Sequence, residues 1–292
     1  MLNYPGGKSH ISEWIIQQMD DLTRRTDLNW TQYAEPFSGA FWVFLKMPIE
    51  QIKTFDTVVY NDFNFDLVNM ITCLRDARIE LIEAGSGLKL EDQETYDRIK
   101  EEFFTKYRNV NDMEILPNPK RAIQFAYLHH YSFIGSTMTP KVKMVTGKVK
   151  PREKHNDLPL VKKAKNPQFF EKIKYVTHIE RKDCEQIIRE FDSPDMFFYI
   201  DPPYWETEHY YTESVDGFGP KKHKSLANTI KAMKGRFALS YYSFNELIEW
   251  FPFDEYRWER KKYKSMMQLN EGGEREEVLI LNDLGEKGLI GY

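Results

Sequence analysis

The sequence predicts an α/β protein, with a parallel, doubly wound sheet whose rhythm is broken by one inserted, mostly helical, basic module. Three observations carry this reading. Short apolar runs ending in acidic or turn residues alternate with stretches of helical periodicity. The run Met196-Phe197-Phe198-Tyr199-Ile200 is apolar throughout, as a strand buried on both faces requires. Charge and proline content shift abruptly in the middle of the chain. At 292 residues, 41% of them hydrophobic, the chain can fill one large domain or a core domain carrying an insertion.

The elements follow in chain order. Ile11, Trp14, Ile15 and Met19 share a helical face within residues 9–22, with Ser9 as candidate cap, so Pro5-Gly6-Gly7-Lys8 is a loop that opens a helix and turns its amides to a ligand. Tyr33-Ala34, Glu35-Pro36-Phe37-Ser38-Gly39-Ala40 and the apolar residues 41–45 read as strand, tight loop and helix. Thr57-Val58-Val59-Tyr60 predicts a strand ending at Asn61-Asp62, followed by a helix over 66–74. Residues 75–107 are charged and helical in character, interrupted at Gly85-Ser86-Gly87, and 117–167 are basic, rich in Pro and poor in long apolar runs. The rhythm resumes with the strand Tyr175-Val176-Thr177-His178-Ile179, then Asp183-Cys184 and a helix over 185–191. A helix over 226–233, a strand over 237–242 and two strands around Gly272-Gly273, the second being Val278-Leu279-Ile280-Leu281, complete the chain. The expected division is a core of residues 1–74 and 175–292 with an insertion of residues 75–174.

Composition narrows the function classes. No apolar stretch approaches the roughly 20 residues of a membrane span, and the start has no basic segment leading into an apolar signal core, which predicts cytoplasmic residence. Only Cys73 and Cys184 are present, without paired Cys/His spacing, which argues against a disulfide framework or a structural zinc site. Neither follows a proline, so the thiol nucleophile of cytosine-C5 methylation has no candidate. The net charge of −4 conceals strong segregation. Residues 118–182 hold 15 Lys/Arg against four acidic residues, a net of +11 that leaves −15 for the remainder. One positive region on an acidic body is the footprint of a phosphate-backbone binder, although a solvated charged face has the same composition.

Asp201-Pro202-Pro203-Tyr204 is the segment richest in chemistry. Two prolines without N–H groups must stop the preceding strand, leaving the Asp201 carboxylate and the Pro202 carbonyl as acceptors at its carboxyl edge, where open α/β sheets bind ligands. Two acceptors match the two N–H donors of an exocyclic amine, and the Tyr204 ring can stack on the base that carries it. An acidic turn closing a strand is the alternative reading of the tetrapeptide alone. Asp62 falls 23 residues after Gly39 at the end of the next strand, where a doubly wound fold places the acid that holds a ribose hydroxyl pair. A nucleoside-containing cofactor follows.

With Pro5-Gly6-Gly7-Lys8, Glu35-Pro36-Phe37-Ser38-Gly39, Asn61-Asp62, Asp183-Cys184, Asp201-Pro202-Pro203-Tyr204 and the strand from Phe237 in this order, the chain resembles the Dam-type DNA adenine-N6 methyltransferases over nearly its whole length. The resemblance implies a Rossmann-like methyltransferase sheet, S-adenosylmethionine as methyl donor, and a target-recognition domain where the basic insertion lies. It implies that Tyr4 and Lys8 line the methionine end of the donor pocket and that Glu35, Phe37 and Gly39 surround the methionine and sulfonium. Asp62 would hold the ribose, Phe63 pack on the donor's adenine, and Asp183 and the Cys184 backbone read its edge. Asp201, Pro202, Pro203 and Tyr204 would take the target base, with Asp201 also bordering the donor. One position departs: the family often has a second glycine two residues after Gly39, and Phe41 stands here, so the loop bends differently or donor affinity is altered.

The resulting expectation is methyl transfer to N6 of a flipped-out adenine in double-stranded DNA, without a metal. Lys120, Arg121, Lys141, Lys143, Lys148, Lys150 and Arg152 are the candidate phosphate contacts. Of His129 and His130, at least one is expected to be a hydrogen-bonded core residue. Three alternatives stay open at this point: N4-cytosine or RNA methylation, a DNA-binding regulator without catalysis, and a protein-interaction module.

Overall fold

The structure is a computed structural model and describes residues 8–27, 29–88, 93–107, 116–131, 157–205, 218–264 and 274–283. The calls on Tyr4, Pro5, Gly6, Gly7, Lys141, Lys143, Lys148, Lys150 and Arg152 lie outside the described residues.

Contacts divide the chain into two compact units, Lys8–Phe63 with Tyr175–Tyr292, and Asn64–Lys174 with Met1–Gly7. The first unit contains the sheet. Its strands are β1 (Gln32–Glu35), β2 (Thr57–Asn61), β3 (His178–Glu180), β4 (Met196–Ile200), β5 (Arg236–Tyr241), β6 (Arg257–Lys264) and β7 (Glu274–Leu281), in the order β3-β2-β1-β4-β5-β7-β6. The first five run parallel, and β7 is antiparallel to both β5 and β6. This is the doubly wound arrangement expected of a Rossmann-like methyltransferase sheet, its order reversing between β1 and β4. All five residues of β4 are buried, as its uninterrupted apolar run requires.

Alternate residues serve opposite faces. Ala34, Phe198, Ile200, Phe237 and Leu239 share a core cluster with Ile187 and Ile188 of one helix, and with Leu226 and Ile230 of another. On the opposite pleat, Tyr33 stacks with Phe44, Phe55 and Phe197. Helices of this unit are α1 (Ser12–Thr26), α2 (Trp42–Lys46) and α3 (Ile49–Ile52). The cap at the start of α1 is Ile11, without a side-chain hydrogen bond, and Ser9 instead accepts from the Ser12 hydroxyl through its carbonyl, so Ser9 is not the cap.

The second unit is helical: α4 (Phe65–Asp76), α5 (Arg78–Gly85), α6 (Gln93–Tyr107), α7 (Pro119–Tyr131), α8 (Pro159–Lys165) and α9 (Pro167–Ile173). Its centre is α7, which packs on α4, α5, α6 and α8. Proline and basic residues obscured α7 in the sequence, yet Ala122, Ile123, Phe125, Ala126 and Leu128 are buried along it. Gly85 permits the approach of α5, since a Cβ there would stand 2.4 Å from Val161 Cγ2 and 2.6 Å from Ile123 Cδ1. His129 is buried with its ring 4.3 Å from that of Phe125.

Three helices return to the sheet unit: α10 (Cys184–Phe191), α11 (Pro220–Lys231) and α12 (Asn245–Trp250). The sequence placed the start of α11 six residues late because Lys221, Lys222 and Lys224 hide the periodicity; Pro220 is at its first turn. No described helix is long and apolar enough to cross a membrane.

Candidate active site

Because β1 to β5 are parallel, their carboxyl ends share one edge of the sheet. Glu35, Asn61 and Ile200 end β1, β2 and β4, so the loops carrying Phe37, Asp62 and Asp201 emerge together.

The loop after β1 is fixed by its neighbours. Gly39 has φ 50°, its N–H donates to Asp62 Oδ2 at 2.8 Å, and its carbonyl accepts from the Tyr60 hydroxyl at 2.9 Å. The 23-residue spacing of Gly39 and Asp62 is therefore a direct contact. Asn61 ties this loop to the one before α10: its Nδ2 donates to the carbonyls of Pro36 at 2.8 Å and Lys182 at 3.1 Å, and its Oδ1 accepts from Lys182 N–H at 2.9 Å. Phe41 adopts φ 59°, the left-handed conformation a glycine takes without strain, and its ring is buried against Phe44 at 4.5 Å and edge-on to Tyr60 at 5.1 Å. The backbone thus keeps a glycine's conformation while the side chain becomes core.

Glu35 is buried behind the loop. Its Oε1 accepts from the Tyr33 hydroxyl at 2.7 Å and the Phe44 amide at 3.1 Å, and burial nevertheless raises its carboxyl to about 8. Burial thus favours its protonated form. Phe37 is half-buried, 5.5 Å edge-on from Phe218. Phe63, by contrast, is 55% exposed, and the Arg181 guanidinium lies 5.6 Å from its centroid while donating to its carbonyl. Asp183 caps α10 by accepting from Glu185 N–H at 3.0 Å and pairs with Lys222 at 2.6 Å. Cys184 is buried, which pushes its thiol up to about 12 and leaves it no role as a thiolate. Against its own burial, Lys222, Thr229 and Ser225 hold Glu185 down to about 2.

At the end of β4 the polar groups converge. Lys8 Nζ is 2.9 Å from Asp201 Oδ1, 3.5 Å from Glu277 Oε1 and 4.6 Å from the Tyr204 ring centroid. Glu277 Oε1 also accepts from the hydroxyls of Tyr204 and Ser240. Tyr204 is buried, 4.1 Å from the Tyr242 ring, and Pro202 and Pro203 are buried beside it. Burial raises Asp201 to about 6, with Lys8 pulling it down and Glu277 pushing it up.

The sequence reading gave Glu277 no role in the site. An acid heading the run Val278-Leu279-Ile280-Leu281 is a visible signal, but its meaning depends on strand direction. Since β7 is antiparallel, with Val278 opposite Tyr241, its early residues reach the edge where β4 and β5 finish. Asn61, Ser240 and Lys222 were likewise given no role.

In the helical unit, Arg121 is corrected. It is 5% exposed, its Nε donates to Asp66 Oδ1 at 2.5 Å, and its guanidinium lies over Phe65 at 4.2 Å and Tyr107 at 4.6 Å, so it is an internal ion pair with no face for a phosphate. Lys120 is on the surface, paired with Glu102 at 2.6 Å.

A family model described as D12 class N6 adenine-specific DNA methyltransferase matches residues 4–267. Two solved structures of the rRNA methyltransferase aviRa from Streptomyces viridochromogenes are similar to the chain. One has 8% identity and a TM-score of 0.38, the other 9% and 0.37, each covering 97% of this chain and 90% of that chain. No curated protein matches the chain.

Proposed function

Since the chain belongs to the D12 class of N6 adenine-specific DNA methyltransferases, we propose that Asp201 and Tyr204 hold the target adenine and that S-adenosylmethionine is the methyl donor. The reaction is adenine-N6 methylation of DNA, and the family implies a donor of the S-adenosylmethionine type. The observation that carries the residue roles is the buried centre of Lys8, Asp201, Tyr204 and Glu277 at the carboxyl edge of β4.

The adenine leaves the duplex at a cost of a few kcal/mol, offset by stacking worth about 1–3 kcal/mol and by new hydrogen bonds. Asp201 and the Pro202 carbonyl accept hydrogen bonds from the two N6–H groups, and one of these protons is lost to solvent once the nitrogen has taken the methyl group. Drawing both hydrogens towards these acceptors weakens conjugation with the ring and exposes the nitrogen lone pair. Orientation and fixed charge do most of the work, with no covalent intermediate. When bound, the donor supplies an electrophilic methyl group.

This chain's residues fit such a donor. The exposed Phe63 ring, the Gly39 turn and the carboxylates of Asp62 and Asp183 lie on loops from one sheet edge, matching an adenosine's flat and polar parts. Two carboxylates against one ammonium at the centre leave negative charge for a sulfonium. Glu35, buried, shapes the loop beside Phe37 and Gly39, while Lys8 and Tyr4 complete the methionine end. Lys120, Lys141, Lys143, Lys148, Lys150 and Arg152 are the phosphate contacts we assign to duplex DNA, in the insertion of residues 75–174.

Transfer from tritiated S-adenosylmethionine to unmethylated DNA tests the assignment. Asp201→Ala is expected to lower transfer by about 100-fold or more and to leave DNA affinity within about threefold. Retained transfer removes Asp201 from the mechanism. Nucleoside mass spectrometry and methylation-sensitive sequencing of the product report the base and its context.

A further inference from the structure

Lys8 stands where a substrate amine must stand. Its ammonium makes the two contacts assigned above to the target base: Nζ is 2.9 Å from Asp201 Oδ1 and 4.6 Å from the centroid of the Tyr204 ring. At that separation no amino group fits between Nζ and the carboxylate. For adenine to take Asp201 Oδ1, the ammonium must yield.

A buried ammonium cannot yield without another anion, because an unpaired charge in the interior costs far more than an exchange of partners. Glu277 is that anion. Its side chain is wholly buried, it lies 3.5 Å from the same Nζ, and it comes from β7 rather than from the strand that bears Asp201. Its Oε1 is held in place by the hydroxyls of Tyr204 and Ser240, and the Tyr263 hydroxyl lies 3.5 Å from Oε2. Both carboxylates are within ion-pair range of one nitrogen, so the exchange needs only the terminal torsions of a four-carbon side chain.

We propose that Lys8 competes with the target amine for Asp201, and that Glu277 is the positioning residue that receives its ammonium as adenine takes over Asp201. The proposal rests on the reading of Asp201 and Tyr204 as contacts to the target base. It gives the buried acid of β7 a task in base capture, and it makes entry of the base a competition with the enzyme's own cation.

Glu277→Gln keeps an acceptor for both hydroxyls and removes the charge that receives Lys8. In single-turnover methylation of unmethylated DNA with tritiated donor, it is expected to slow transfer about tenfold or more while DNA affinity stays within about threefold. Adding Lys8→Met removes the competing ammonium, so with the donor at saturation the double variant is expected to be about tenfold faster than Glu277→Gln alone. A double variant no faster than Glu277→Gln, or a Glu277→Gln enzyme with wild-type rate, overturns the proposal. If Glu277→Gln does not fold, Lys8→Met alone decides. A duplex with 2-aminopurine at the mapped target adenine should then show a larger fluorescence rise than with the wild type, and an equal or smaller rise overturns the proposal. Absence of adenine methylation by the wild-type enzyme would instead remove the reading on which the proposal rests.

Discussion

Burial of Glu35 outweighs the Tyr33 hydroxyl and Phe44 amide that favour its anion, and this sets a pH dependence of stability. Its folded value of about 8 lies above the ordinary 4.5, so the folded chain keeps a proton that the unfolded chain releases. Stability therefore falls as pH rises from about 4.5 to about 8, by at most about 1.4 kcal/mol per unit from this group, and levels off above. Glu35→Gln, a neutral near-isostere, should flatten that slope in urea unfolding between about pH 5 and about pH 8. An unchanged slope means that Glu35 is ionised. The same scale shows what the sequence reveals. The places of Asp201 and Tyr204 are legible because prolines and an apolar run fix them, and the place of Asp62 at the end of β2 is legible from its spacing to Gly39. Glu277 is not, since an acid before a strand means opposite things in parallel and antiparallel strands. Arg121 misleads because a cation in a basic stretch gives no sign of the Asp66 that neutralises it.

The loop between β1 and α2 decides the question raised by Phe41. A bulky residue at φ 59° carries about 1–2 kcal/mol of backbone strain, whereas removing a buried Phe ring costs about 3–5 kcal/mol. The ring wins. Phe41→Gly is expected to lose about 1–4 kcal/mol in urea unfolding and to leave donor affinity within about threefold by calorimetry, because Phe44 and Tyr60 already enclose the ring. A donor affinity lowered tenfold or more would show that the ring borders the donor. Strands were the elements best read from the sequence, since the alternation and the acidic stops of β1, β2 and β4 are local signals. The sequence places β3 early, over 175–179, whereas its pairing with β2 spans His178–Glu180. Helix α7 was hidden because burial on most of its surface erases a clear polar face, and because Pro119, Lys120 and Arg121 at its start resemble a loop.

At the scale of the whole molecule, charge is the dominant feature. Residues 118–182 carry +11 on a chain of −4, although Lys165, Lys174 and Lys182 are paired with Asp157, Glu171 and Glu190. If Lys148 and Lys150 meet phosphates, replacing both by Gln should reduce the slope of log affinity against log salt by about 1.8, alike for all duplex sequences. An unchanged slope assigns them elsewhere. Chain order at the sheet has a consequence for biosynthesis. Lys8 is near the amino terminus, Asp201 lies well into the second half, and Glu277 belongs to the last strand, which must insert between β5 and β6 before β6 has any partner in the sheet. A nascent chain can display Asp201-Pro202-Pro203-Tyr204 in full and still lack the centre around it. On the role proposed for Glu277, full methylating activity waits until β7 has left the ribosome.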